Sequence, residues 1–164
     1  MEMVFVLIAK FIIAILLAAI SAYTGIFLFD RATGDIDEWA ELRAGNAAVG
    51  VTLGALVIAL AIILQSSLRA PGVPEDLQPG LYPLYALVEL LIRFAIGFVA
   101  GLVGVLTGIA LYDRMTGSLD EFAEIKKGNM GVAITLAAVI IATALLIAPV
   151  VNIAAQFVSE LLFG

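Results

Sequence analysis

"DEWAELRAGN" fills residues 37–46, and "DEFAEIKKGN" fills residues 120–129, 83 positions further on. Trp39 is answered by Phe122, Leu42 by Ile125 and Arg43 by Lys126. The same shift aligns much more than the decapeptide. Thr24-Gly25-Ile26 meets Thr107-Gly108-Ile109, Asp30-Arg31 meets Asp113-Arg114, and Thr33-Gly34 meets Thr116-Gly117. Thr52-Leu53 meets Thr135-Leu136, and about half the positions from 24 to 64 are identical in the shifted copy. A biased composition repeats its common apolar residues by chance, but not its rare polar ones. The chain is an internal duplication.

The material between the polar decapeptides sets the class. The 164 residues are 63% hydrophobic and 13% charged, with a mean hydropathy of +1.17. A soluble domain is nearer half apolar and a quarter charged, so these numbers describe a polytopic membrane protein. Cysteine and histidine are absent. That excludes disulfides, thiol nucleophiles, Cys/His metal centres, haem ligation through His and imidazole acid–base chemistry. No cofactor is implied. The net charge of −6 argues against nucleic acid as a partner. "MEMVFVLIAKF" lacks the basic start of a signal peptide, and its segment has a counterpart in the second copy, so it reads as a retained transmembrane helix.

Each copy holds two apolar stretches around one polar loop, roughly 4–29 and 47–68, then 84–112 and 130–148. Lys10 to Asp30 and Arg93 to Asp113 are both 20 residues. At helical rise each interval covers about 30 Å, the hydrocarbon thickness. The expected fold is therefore all-α, with four transmembrane helices as two tandem parallel two-helix repeats. Short interfacial cytoplasmic helices and an amphipathic C-terminal helix complete it. The parts are a first repeat at 1–68, a Pro/Gly-rich linker at 69–83, a second repeat at 84–149 and the C-terminal helix at 150–164. Five of the eight Lys and Arg lie in the two polar loops. The positive-inside rule then places both loops in the cytoplasm and both termini outside a cytoplasmic membrane.

Within the loops, Asp35 before Glu38 and Ser118 before Glu121 suit N-caps with an acid three positions on. Gly34 and Gly117 suit the end of the preceding helix, and Gly45 and Gly128 the end of a short one. Asn46 and Asn129 are placed to cap the next span. The short helix is amphipathic. Ile36, Trp39 and Ala40 share a face, as do Leu119, Phe122 and Ala123, with the carboxylates largely opposite. Trp39, Asn46, Phe122 and Asn129 are thus the residues of an interfacial loop whose aromatic sits among lipid headgroups.

The recurring Glu38, Leu42, Arg43, Gly45, Asn46 and Glu121, Ile125, Lys126, Gly128, Asn129, each between a span and an Ala/Gly-rich helix, resemble the domain of unknown function 350 family. The resemblance covers nearly the whole chain as two copies. It implies a small four-helix prokaryotic membrane protein without an assigned activity, some of whose relatives sit beside membrane-stress genes.

Candidate sites follow from the polar and small residues. Lys10 and Arg93 fall at the outer boundary, where long cationic side chains snorkel, and Glu89 is spaced to pair with Arg93. Asp30, Glu38, Asp113 and Glu121 are weak candidates for a Mg²⁺ or Ca²⁺ site, because oxygen ligands suit those ions while the spacing matches no closed cation loop. Thr24, Thr52, Thr107 and Thr135 can bond their own helix backbone. Small-residue stripes mark helix packing. They are Ala14, Ala18, Ser21 and Gly25 in the first span, and Ala48, Thr52, Ala55 and Ala59 in the second. The third has Gly97, Gly101, Gly104 and Gly108, and the fourth Gly131, Thr135, Ala138 and Ala142. Gly101 and Gly104 fall near mid-span, where the closest approach is expected. Pro149 is expected to bend or end the fourth span. The resulting expectation is a non-enzymatic integral membrane protein whose partners are the lipid bilayer and either copies of itself or a larger membrane complex. The alternative is a channel or transporter for a small neutral species or ion, lined by the Thr residues.

Overall fold

The computed structural model describes residues 2–33, 37–68, 78–117 and 119–163. They form six α-helices and one 3-10 turn: α1 (Glu2–Thr33), α2 (Glu38–Arg43), α3 (Ala47–Ser67), the turn Pro79–Leu81, α4 (Tyr82–Thr116), α5 (Glu121–Lys126) and α6 (Met130–Phe163). Four of them, α1, α3, α4 and α6, contain stretches long and apolar enough to cross a membrane. The fold is the all-helical tandem repeat expected, with a short helix between the two long ones of each copy.

The core is built on α3 and α6, the second long helices of the two copies, which make the most extensive contact in the molecule. α4 packs into the groove between them, against α6 and then α3. α1 lies at the edge, mainly on α3. Leu60, Ile63, Leu136 and Ile140 are almost wholly buried at the centre, with Ala59, Ala133 and Ala144 between them. Small residues between large ones let two helices close up and gain dispersion contacts, which is what drives association where lipid offers no hydrophobic gain.

The glycine stripe of α4 is buried at all four positions. An added Cβ would strike the Ser67 side chain at Gly97 and Ile147 at Gly104, and would stand 2.7 Å from Thr143 Oγ1 at Gly108. At Gly101 it would meet Ile63 Cγ2 at 3.4 Å. The tightest approaches therefore flank Gly101 instead of centring on it. The stripe of α3 is buried as well, at Ala48, Thr52, Ala55 and Ala59.

Two stripes depart from expectation. Gly131, Thr135, Ala138 and Ala142 of α6 are all exposed. The helix turns Ala133, Leu136, Ala137, Ile140 and Ala144 inward instead, because large and small side chains together fill the space against α3 better than a small stripe alone. In α1, Ser21 and Gly25 are buried, Ala14 is half-buried and Ala18 is exposed.

Pro149 does not end the last helix. α6 continues through it to Phe163, so no boundary falls at 149/150 and the C-terminal amphipathic segment is an extension of the span. Proline removes one backbone donor. Packing carries the helix past it: Ala148, Val151 and Ala155 are buried, and the Ser66 hydroxyl donates to Ala148 O at 2.8 Å. Ser66 and Pro149 occupy the same repeat position, so this bond lies between the two copies.

Candidate functional site: the repeated polar loop

Each polar loop is held by backbone chemistry that the sequence repeats. α2 begins at Asp37, whose carboxylate accepts from Ala40 N at 2.9 Å. α5 begins at Asp120, which accepts from Ala123 N at 2.9 Å. These aspartates are the caps, in place of Asp35 and Ser118. The short helices start later than the earlier acid-to-glutamate spacing implied, and a cap must directly precede the first helical residue. Asp35, Ser118, Ile36 and Gly34 lie outside the described residues, as do the side chains of Lys10 and Arg31.

Both short helices end alike. Gly45 N donates to Leu42 O at 3.0 Å and Asn46 N to Glu41 O at 3.0 Å, while Gly128 N donates to Ile125 O and Asn129 N to Glu124 O, both at 2.9 Å. This paired return needs a left-handed residue just past the helix, and Gly45 (φ 82°) and Gly128 (φ 85°) supply it. Asn46 then caps α3, accepting from Ala48 N and Val49 N at 3.1 and 3.3 Å. Asn129 caps α6 through Gly131 N and Val132 N at 3.1 and 3.4 Å. Each asparagine amide also donates to a loop carboxylate: Asn46 to Glu41 Oε2 and Asn129 to Glu124 Oε2, both at 3.0 Å. The Asn129 amide, and after it Lys127 at 2.8 Å, hold the Glu124 carboxyl below its usual range.

Two bonds break the symmetry. The Asn46 amide reaches across to the other copy and donates to Ile125 O and Lys126 O at 3.2 and 3.0 Å. It thereby caps the C-terminal end of α5, whose Ile125 is buried.

Trp39 is 53% exposed and Leu119 39%, whereas Glu38 and Glu121 are buried at 1% and 2%. Trp39 faces outward, and the first carboxyl of each helix turns in against the end of the preceding long helix. Phe122 is half-buried against the core. The Glu38 carboxyl meets that of Asp30 on α1, and burial followed by this contact pushes it up to about 7. In the second copy the Glu121 carboxyl meets that of Asp113 and accepts from the Thr116 hydroxyl. The four weak metal candidates are thus brought together as two separate pairs. Among the described residues no group of three acidic side chains stands together as a metal site would need for a wholly protein-made shell.

At the far end of the bundle the Arg93 reading is corrected. Arg93 does not snorkel: it is buried at 2% exposure. Its Nε donates to Glu89 Oε1 at 3.0 Å and its Nη1 to Ser67 O, at the C-terminal end of α3, at 3.2 Å. Ser159 of α6 donates to the same Glu89 oxygen at 3.3 Å. The pair therefore ties α4 to both neighbours. The Glu89 to Arg93 spacing carried the signal for the pair; Ser67 and Ser159 carried none.

The threonines bond to their own helices. Thr52, Thr107 and Thr135 donate to Ala48 O, Val103 O and Gly131 O at 3.0, 2.7 and 2.9 Å. Thr52 is buried, while Thr107 and Thr135 face outward. A cleft of ≈ 300 Å³ separates α1 from α3, lined mostly by apolar side chains with the Ser21 hydroxyl among them.

With loop, caps and repeat in place, the comparison with known proteins agrees. The family model for Domain of Unknown Function (DUF350) matches twice, over residues 3–87 and 85–164. The chain is a tandem-repeat membrane protein, and it belongs to that family. No curated protein and no solved structure matches it.

Proposed function

We propose that the protein is a non-enzymatic, self-assembling scaffold or small subunit in the cytoplasmic membrane. Its polar loops face the cytoplasm and its termini face outside. The observation that carries the reading is the length of α6. It has 34 residues against 21 in α3, about 20 Å of extra helix. α3 already spans about the hydrocarbon thickness, so the end of α6 reaches past what acyl chains cover. One face of that end buries Val151, Ala155 and Ser159. The other exposes Val150, Ile153, Phe157 and Leu161 at 64%, 66%, 65% and 74%. An apolar stripe at helical spacing beyond the bilayer core calls for a protein surface, and a second copy offers the same stripe in return.

The cysteine-free sequence makes the test direct. Phe157→Cys is expected to form a disulfide-linked dimer in native membranes. Gln78→Cys is expected to react with an impermeant thiol reagent in intact cells, and Ala44→Cys to be protected. Native mass spectrometry in mild detergent is expected to give more than one copy per particle. A monomer with no Phe157→Cys cross-link would remove self-assembly. Ion flux in reconstituted vesicles would favour the channel reading, with the outward Thr107 and Thr135 at a subunit axis.

A further inference from the structure

The hydroxyls of Thr52, Thr107 and Thr135 donate to their own helices, and Ser67 does the same to Leu64 O at 2.9 Å. Ser66 and Ser159 donate across to neighbouring helices. Ser21 of α1 does neither. It is 1% exposed, and among the described residues nothing bonds its Oγ. A buried hydroxyl without a partner is costly. This one lines the ≈ 300 Å³ cleft between α1 and α3.

The second copy has closed the equivalent space. There Ile147 packs on Gly104 and Thr143 on Gly108. The first copy keeps the contact of Gly25 with Leu60, but it has Ser21 where Gly104 stands and Leu64 where Ile147 stands. α1 and α3 therefore meet toward the loop end, and the cleft lies beyond that contact, toward Ala18 and Leu68. No charged side chain lines it, and Ser21 is the one buried polar side chain in its wall. Ala18, Ala61 and Gln65 are exposed at its rim, so it opens sideways, beside the apolar surface of α1. An apolar cavity of about 150 Å³ stays dry and admits benzene, whereas a buried water needs two to four polar partners. One hydroxyl in an apolar wall suits an organic occupant better than water.

We propose that the cleft between α1 and α3 binds a neutral, largely apolar molecule carrying one hydrogen-bonding oxygen, which enters from the hydrocarbon beside α1 and meets the Ser21 hydroxyl. The uncharged wall excludes an ion, whose desolvation nothing there would offset. The apolar lining takes the body of the molecule. The oxygen is selected by Ser21, which can donate to it or accept from it. Small aromatic alcohols and the hydroxyl- or carbonyl-bearing part of a membrane lipid share this chemistry. The site uses α1 and α3 and owes nothing to the exposed stripe at the end of α6, so it stands whether or not the chain self-associates.

The test compares 1-naphthol with naphthalene, the same apolar body without the oxygen. Thermal midpoints of the full-length protein in one uncharged detergent are followed as each compound is added. 1-Naphthol is expected to raise the midpoint to saturation and to bind about five- to tenfold more tightly than naphthalene, the worth of one hydrogen bond. Ser21→Ala is expected to bind both compounds alike, at the affinity of naphthalene. Without ligand it is expected to melt no lower than the unmodified protein, because it removes a group that had no partner. Ala61→Leu, which places a larger side chain at the rim, is expected to abolish the rise with both compounds. Native mass spectrometry of protein released from its own membrane separates the two sources. An adduct held by the unmodified protein and missing from Ala61→Leu marks a membrane lipid, and 1-naphthol binding without such an adduct marks a free solute. A midpoint that 1-naphthol does not move overturns the proposal. So does equal affinity for the two compounds in the unmodified protein, or a Ser21→Ala protein that still prefers 1-naphthol. Should Ala61→Leu fail to fold, the Ser21→Ala comparison decides alone.

Discussion

α1 and α4 are two copies of one helix with opposite fates. In α4, Gly97, Gly101, Gly104 and Gly108 are buried between α3 and α6. At the same repeat positions α1 has Ala14, Ala18, Ser21 and Gly25, of which Ser21 and Gly25 alone are fully buried. α4 also carries Glu89 and Arg93, bonded to α3 and α6, where the first copy has Val6 and Lys10. Two differences therefore separate the copies. Three glycines that permit contact are replaced by larger residues, and a polar anchor is replaced by a residue pair that cannot form one. A duplicated helix keeps its length and hydropathy through such changes and loses its partners. The ≈ 300 Å³ cleft between α1 and α3 shows how incompletely the first copy closes.

The polar anchor gives the largest expected contrast between the copies. Arg93→Ala leaves Glu89 buried without its cation, and breaking a buried pair from one side costs about 3–5 kcal/mol. The loss should appear as a lower thermal midpoint in detergent. Lys10→Ala, at the matching place, is expected to stay within about 0.5 kcal/mol. Converting both Glu89 and Arg93 to Leu is expected to recover most of the loss, because an apolar pair needs no desolvation. If Lys10→Ala proved as damaging as Arg93→Ala, the asymmetry between α1 and α4 would not stand.

The glycines give a smaller contrast. At Gly108 a methyl group would crowd Thr143 at Oγ1, Cγ2 and Cβ, 2.7, 2.9 and 3.2 Å away. Threonine is branched at Cβ and turns aside poorly, so Gly108→Ala is expected to cost about 1–3 kcal/mol. Its counterpart Gly25 would press on the tip of Leu60, a flexible end beside the open cleft. Gly25→Ala is expected to cost less than about 1 kcal/mol. Chemical denaturation of the two variants under one condition decides it, and equal losses would mean that α1 is packed as tightly as α4.

The caps give the smallest. Asn129→Ala removes a helix cap, worth about 0.5–2 kcal/mol. Asn46→Ala removes the equivalent cap together with the bonds to Ile125 O and Lys126 O. A further loss of about 1 kcal/mol is expected there, read as the difference between the two melting curves.

How far a residue's role was legible depended on whether it is settled along the chain or across it. The duplication, the four long apolar helices, the glycine-terminated short helices and the asparagine caps are local. They depend on a few consecutive residues and on backbone geometry, so Gly45, Gly128, Asn46 and Asn129 announced themselves in the sequence. The facing of each helix is not local. Gly131, Thr135, Ala138 and Ala142 form as good a small stripe as Gly97 to Gly108, yet one lies outside and the other inside. In a membrane both faces of a helix are apolar, so hydrophobic patterning no longer tells inside from outside, and the shape of the neighbouring helix decides. The sequence by itself determined which segments are long and apolar enough to cross a membrane and where the two short helices end, at Gly45 and Gly128. Only the tertiary structure decided which carboxyls meet, which arginine is buried and which of two like helices joins the core, because those depend on distances between residues far apart in the chain.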